Sequence, residues 1–244
     1  MILSGAAPLA PDVMKWFQKL EIPIREAYGM SENFNVISMN PIQDIRIGTV
    51  GKIFPGQEIY IDAETKEIRQ KCNWLMKGYY KKPHLTNQTI IDGFLYTGDM
   101  GSLSEDGFLT ITGRVKDIFK TAKGEYISPA VLELPFLDMK IVDQACVMGT
   151  AYAQPFILVV LTSLGKGISK NTIETSLTKT LEAVNNKAME FQKLKKVIIS
   201  REEWTIENEI LTPTLKIKRN LLSQKYEPIL KKIYQLKEQV SWES

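Results

Sequence analysis

The chain has 244 residues, 44% of them apolar and 24% charged, and a net charge of +3. That length and balance suit a soluble globular protein of one or two domains with real cores, and the charge is too small to argue for nucleic acid as a partner. Two distant cysteines, Cys72 and Cys146, read as free thiols in a reducing compartment, and the single histidine, His84, removes most histidine-based catalysis and metal chemistry.

The first ten residues look faintly like the apolar part of a signal peptide. The first cation is only Lys15, so they are read instead as a core strand running into the turn Ser4-Gly5-Ala6-Ala7-Pro8-Leu9. Small residues there let a flat ligand approach the backbone. Residues 11–20 predict a helix with Pro11 in its first turn and an apolar stripe, Val13, Trp16, Phe17 and Leu20, expected in the core. Residues 21–26 predict a short strand.

That strand delivers Tyr28-Gly29-Met30-Ser31-Glu32. Tyr28 offers a ring for stacking on a base, Ser31 a hydroxyl for a phosphate oxygen, and Glu32 a carboxylate of the kind Mg²⁺ takes beside phosphate. Read for backbone alone, the same five residues are a glycine turn entering a helix capped by Ser31. Residues 33–56 read as loop and short strands, 57–62 as an alternating strand, and 86–91 as a short helix.

Residues 92–129 organise the chain. Asp99 sits in Tyr96-Thr97-Gly98-Asp99, where a carboxylate on a turn suits a ribose diol. Residues 101–112 predict a hairpin about Asp106-Gly107, which would return Arg114 to Asp99, and an arginine fork there suits ribose oxygens or phosphate. A glycine loop comes next, running from Lys120 through Gly124 to Pro129.

Beyond residue 130 the pattern is α+β. Residues 131–134 suggest a short helix, 141–148 and 156–161 two strands, 165–169 a loop, 171–193 a helix including Phe191, and 197–199 a strand. The apolar run 156–161 is far too short to span a bilayer. Leu211-Thr-Pro-Thr-Leu-Lys216-Ile-Lys-Arg219 breaks the chain and then gathers three cations, which by itself reads as a basic surface run. Leu222, Tyr226, Ile229, Ile233, Leu236 and Val240 form a final helical stripe, on a basic helix that could also touch a membrane surface.

The blocks Ser-Gly-Ala-Ala-Pro-Leu, Tyr-Gly-Met-Ser-Glu, Tyr-Thr-Gly-Asp with Gly-Arg-Val-Lys-Asp-Ile-Phe-Lys, and Leu-Thr-Pro-Thr-Leu-Lys-Ile-Lys-Arg, in that order, resemble the adenylate-forming superfamily of acyl-CoA synthetases, luciferases and adenylation domains. The last block is similar to that of long-chain acyl-CoA synthetases. The resemblance implies an α/β plus α+β fold: residues 1–115 as the distal, β-rich part of the large AMP-binding domain and 116–244 as a small mobile C-terminal domain. It implies that Gly5, Ala6 and Ala7 line the adenine pocket and that Tyr28, Gly29, Ser31, Asp99 and Arg114 hold the nucleotide. It gives Glu32 to Mg²⁺, makes Lys116 the hinge, and makes Lys216 the catalytic lysine.

By the same resemblance the Gly124 loop lines the channel for the thiol arm of coenzyme A, and Lys120 joins the site after the small domain turns. Glu209 stands where the family usually has glycine. The implied activity is that of a long-chain fatty acid–CoA ligase using ATP, magnesium and coenzyme A, cytoplasmic and peripheral to a membrane at most. The family's Ser/Thr/Gly-rich phosphate loop is absent, so the expectation is a C-terminal part that is inactive without the region carrying that loop. The alternatives are a non-catalytic nucleotide-binding or regulatory module and a ligase that loads a carrier protein.

Overall fold

A computed structural model describes residues 2–5, 9, 11–150 and 152–243. The chain divides into two compact units, residues 1–116 and 117–244.

The first unit holds two sheets. Strand β1 (Ile2–Ser4) is followed by helix α1 (Pro11–Lys19), β2 (Ile24–Tyr28), β3 (Ser38–Met39) and β4 (Lys52–Ile53). These strands form one sheet in the order β1-β2-β3-β4, with β1 and β2 parallel. The second sheet is built from β5 (Gln57–Ile61), β6 (Glu67–Cys72), β7 (Ile90–Ile91), β8 (Phe94–Leu103) and β9 (Leu109–Arg114). It runs β5-β6-β8-β7, with β9 also paired to β8, and is antiparallel throughout. Helix α2 (Pro83–Thr89) leads into β7. The fully buried Ile37, Ile68 and Leu109 form the unit's small core, with Tyr28, Val50 and Ile59 packed around them.

Three expectations fail in this unit. The α1 stripe is not core: Val13, Trp16 and Leu20 are 40%, 56% and 50% exposed, and Met14 is the buried residue of the helix. Strand β1 is likewise not buried as expected: among the described residues it pairs only with β2, and Ile2 and Leu3 are exposed. The predicted helix at 86–91 starts earlier, at Pro83, and stops before Ile90. Pro83 is pre-set for the first turn, while the β-branched Ile90 and Ile91 pair with Leu95 and Phe94 of β8.

The second unit opens with the small hairpin β10 (Phe119–Lys120) and β11 (Tyr126–Ile127), then α3 (Pro129–Leu137). Strands β12 (Val142–Met148) and β13 (Phe156–Leu161) pair antiparallel. Helices α4 (Ser163–Lys166) and α5 (Lys170–Lys187) come next, then β14 (Val197–Ile199), helix α6 (Arg219–Gln235) and β15 (Val240–Trp242). The sheet order is β12-β13-β14-β15, its last two pairings parallel.

Both faces of this sheet are covered, which explains the unbroken apolar run in β13. Ile157, Val159 and Leu161 pack with Ile173, Leu177 and Leu181 of α5, whereas Phe156, Leu158 and Val160 pack with Leu222, Tyr226 and Leu230 of α6. Within the described residues, no helix is long and apolar enough to cross a membrane.

Local chemistry moves three boundaries here. Helix α4 takes in Gly165 and Lys166, the start of the expected loop 165–169, because Thr162 Oγ1 caps it by accepting from Gly165 N at 3.0 Å. Helix α5 stops at Lys187, short of Phe191. Asn185 draws the chain back by bonding both backbone groups of Leu194, its Oδ1 accepting at 2.8 Å and its Nδ2 donating at 2.9 Å. Val240 leaves the predicted helical stripe altogether and pairs with Val197 as the edge strand β15.

One cation locks that edge. Lys196, 1% exposed, donates from Nζ to the carbonyl oxygens of Ile233 and Leu236, at 2.7 and 3.1 Å, and to Ser241 Oγ at 3.2 Å. It thus caps the C-terminal end of α6, where a positive charge is favoured, and ties that end to β15. Substituting Lys196→Met would remove three hydrogen bonds that tie the end of α6 to β15 and lower the unfolding free energy by about 2 kcal/mol. The measurement is a urea unfolding curve, and an unchanged midpoint would show that the clamp contributes nothing.

Candidate functional site

In the first unit the residues singled out from sequence converge on Asp99. The hairpin of β8 and β9 turns at Asp106-Gly107, with Gly107 at φ +86°, and its register sets Asp99 directly opposite Arg114. Arg114 Nε lies 2.8 Å from Asp99 Oδ1. Asp99 itself is only 5% exposed, while half of the Arg114 side chain remains open to solvent. The other carboxylate oxygen, Oδ2, accepts a hydrogen bond from Tyr28 Oη at 2.8 Å, across 71 residues of sequence. Burial and the Asp99 charge push the Tyr28 phenol well above its ordinary value, so it stays a neutral donor. Gly98, at φ +71°, supplies the left-handed residue that lets β8 bend before the carboxylate.

Tyr28 is the last residue of β2, and the segment after it is held tightly. A Cβ on Gly29 would sit 2.2–2.5 Å from the Asn35 backbone, so glycine is required there. Ser31, Glu32 and Asn33 form a single 3₁₀ turn, not the capped helix that was the other reading. Ser31 is exposed. Glu32 Oε1 accepts from Tyr79 Oη at 2.6 Å, and Glu32 O accepts from Met76 N at 2.8 Å.

Buried Asn33 anchors this turn. Its Oδ1 accepts from Met30 N at 2.9 Å and its Nδ2 donates to Gln70 Oε1 at 2.6 Å. Sequence reasoning did not assign Tyr79, Asn33 or Gln70 to the site. Tyr79 lies in Gly78-Tyr79-Tyr80, and only the fold reveals that its hydroxyl reaches Glu32. Gly5 comes directly after β1, and a Cβ there would meet Ala27 O at an ordinary 3.5 Å. Ala6 and Ala7 lie outside the described residues.

The remaining positions belong to the boundary and to the second unit. Lys116 is exposed in a 3₁₀ turn, Val115–Asp117. Lys120 is exposed on β10, its ammonium 5.3 Å from the Tyr126 ring centroid. Gly124, at φ +88°, closes the β10–β11 turn by donating to Thr121 O at 2.9 Å.

Lys216 is exposed at the end of a tight turn. Lys216 N donates to Thr212 Oγ1 at 3.0 Å, Thr212 N donates to Lys216 O at 2.8 Å, and Leu211 bridges Ile217. Just upstream, Glu209 adopts φ +63°, the left-handed conformation that glycine meets without strain. Among the described residues no group of three or more His, Cys, Asp or Glu could hold a metal.

This geometry, a carboxylate gripped by a phenol and an arginine in one unit and an exposed lysine on a tight turn in the other, suits nucleotide handling and anion chemistry. Family models decide the affiliation: that of the AMP-binding enzyme matches residues 1–80, and that of the AMP-binding enzyme C-terminal domain matches residues 116–238. The chain belongs to the AMP-binding enzyme family.

It is 31% identical, over 251 residues, to the long-chain-fatty-acid–CoA ligase FadD15 of Mycobacterium tuberculosis, covering 95% of this chain and 41% of the ligase. Its fold is similar to that of apo MatB from Rhodopseudomonas palustris, at TM-score 0.68 and 28% identity, covering 94% of this chain and 46% of MatB. It is also similar in fold to the anthranilate CoA ligase AuaEII in complex with anthranoyl-AMP, at TM-score 0.75 and 20% identity, covering 91% and 44% of the two chains. The chain therefore spans roughly two-fifths of the length of the ligase it matches.

Because Glu209 carries a Cβ in a left-handed backbone, Glu209→Gly should raise stability by about 1 kcal/mol without altering the turn. A thermal unfolding midpoint that falls in the variant would contradict this reading of the backbone.

Proposed function

We propose that this chain is the nucleotide-holding and lysine-bearing part of an AMP-forming long-chain fatty acid–CoA ligase. The observation that carries the reading is the Tyr28–Asp99–Arg114 contact, in which a buried carboxylate is oriented by two donors at the positions the family resemblance assigns to the nucleotide. Each carboxylate oxygen retains a second lone pair, so Asp99 remains able to accept from a ribose diol, and the exposed Arg114 guanidinium keeps donors for ribose or phosphate oxygens.

The reaction has two halves. A carboxylate oxygen of the fatty acid attacks the α-phosphorus of ATP, and the bond to pyrophosphate breaks, leaving acyl-AMP. The thiol of coenzyme A then loses its proton and attacks the acyl carbonyl, and AMP departs. The first half brings an anion to a polyanion, so cationic groups aimed at the reacting oxygens supply much of the rate. In this reading Lys216 bridges the carboxylate and the α-phosphate. Tyr28, Ser31, Asp99 and Arg114 fix the nucleotide, and Gly5 leaves space for its base.

The donor set fits magnesium. Glu32 offers one carboxylate whose Oε1 is already oriented by Tyr79, and Mg²⁺ prefers one or two carboxylates plus phosphate oxygens over an all-protein cage. When bound, the ion would spread phosphate charge. Lys116 acts as the hinge between the halves, after which Lys120 and the Gly124 loop face the coenzyme A thiol.

The reading also needs a region that supplies the phosphate loop and the acyl pocket. The exposed apolar stripe of α1, with Val13, Trp16 and Leu20 open to solvent, supports a further part of the same enzyme covering that face. The enzyme would be cytoplasmic, with the basic helix α6 as its point of contact with lipid surfaces.

Two measurements test this. In the isolated chain, Asp99→Asn should weaken AMP binding about tenfold by calorimetry, and equal affinity would remove Asp99 from the site. In the enzyme that carries this chain with its phosphate-loop region, Lys216→Ala should slow fatty-acid-dependent pyrophosphate exchange about a hundredfold. Exchange at the parental rate would end the proposal.

A further inference from the structure

Three residues beyond Lys216, Arg219 opens α6 with its side chain turned inward. Its guanidinium meets groups from three separate stretches of the second unit. Nη2 donates to Glu133 Oε2 on α3 at 2.8 Å. Nη1 donates to Cys146 Sγ and to Val147 O on β12, at 3.1 and 3.2 Å. Nε lies 3.9 Å from Asp117 Oδ2, on the first residue of the unit. Glu133 completes the ring, for its Oε1 accepts from Val147 N at 2.6 Å. Glu133 is 6% exposed, and burial pushes the Cys146 thiol up to about 12, so Cys146 packs here as a neutral, inert neighbour.

A buried ion pair of this kind is weak evidence for stability, because well-packed apolar side chains of the same size often do as well. What an apolar side chain cannot do is fix direction. A planar fork with five donors, satisfied from several sides, holds one orientation of the backbone that carries it, and lysine does not replace it. The backbone in question is the exit of the Lys216 turn. Its other end is fixed by Ile210 and Leu211, both buried against α6.

We propose that Arg219 is a positioning residue that clamps the Lys216 turn to Glu133 and to the chain entry at Asp117, so that Lys216 travels as one rigid piece with whatever moves residue 117. This rests on the role given to Lys216 above. Arg219 touches no reacting atom. It sets where the lysine ammonium stands, and it concerns only the half-reaction that uses that ammonium.

The test separates positioning from general stability. In the enzyme carrying this chain, Arg219→Leu should lower acyl-AMP formation at least tenfold, while thioester formation from preformed acyl-AMP stays within twofold. Arg219→Lys should lie between the two. Amide hydrogen exchange across residues 212–217 should speed up about tenfold, with residues 197–199 unchanged. If Arg219→Leu does not fold, Glu133→Gln, which removes one charge of the pair, carries the same measurements.

Acyl-AMP formation at the parental rate, or an equal fall in both half-reactions, would overturn the proposal. If the parent enzyme makes no acyl-AMP at all, the functional reading fails. Hydrogen exchange in the isolated chain then decides the clamp alone, with unchanged exchange at 212–217 counting against it.

Discussion

The Asp99 carboxylate, nearly closed off from water, is held by two donors that arrive from different directions: Tyr28 from the end of a parallel strand and Arg114 from the opposing strand of its own hairpin. An anion at that depth is tolerated only because both oxygens are engaged and one partner is cationic. The first unit therefore has to keep its two sheets in register with each other. The chain does so through buried amides rather than a large core. Gln70 on β6 reaches Asn33, Val36 O and Gln57, which fastens the Tyr28-to-Glu32 segment to the sheet that bears Asp99.

The second unit solves a different problem. Its sheet is covered by helices on both faces, so it has a substantial apolar core. Two of its polar ties sit at the ends of one helix. Lys196 holds the end of α6 to the edge strand, and Arg219 holds the start of α6 to α3 and β12. One helix is thus clamped at both ends by cations, and the turn bearing Lys216 leads into the first of those clamps.

Much of the local structure was readable because local chemistry decided it. The Asp106-Gly107 hairpin forms and carries Arg114 back to Asp99, since a tight turn between short apolar runs has few other solutions. The strand at 197–199 and the helical stripe Leu222, Tyr226, Ile233 also come from pattern. The failures share a cause as well. The α1 stripe follows a helical period and β1 is apolar, but neither pattern says whether the residues are buried, and Val13, Trp16, Leu20, Ile2 and Leu3 are exposed. Val240 continues a helical spacing by coincidence and is claimed instead by pairing with Val197, an example of tertiary context overriding period.

What the amino-acid order determined alone was the set of short-range devices: the glycine positions at 29, 98 and 124, the hairpin, the apolar strands, and the succession of chemical blocks that mark the family. Those depend on neighbours within a few residues, so one sequence displays them. What only the tertiary structure decided was who meets whom across long separations: Tyr79 with Glu32, Asn33 with Gln70, Arg219 with Glu133 and Asp117. A polar side chain carries no record of its distant partner, because any acceptor of suitable geometry would satisfy it. The packing of strands and helices brings such an acceptor within reach and excludes the rest.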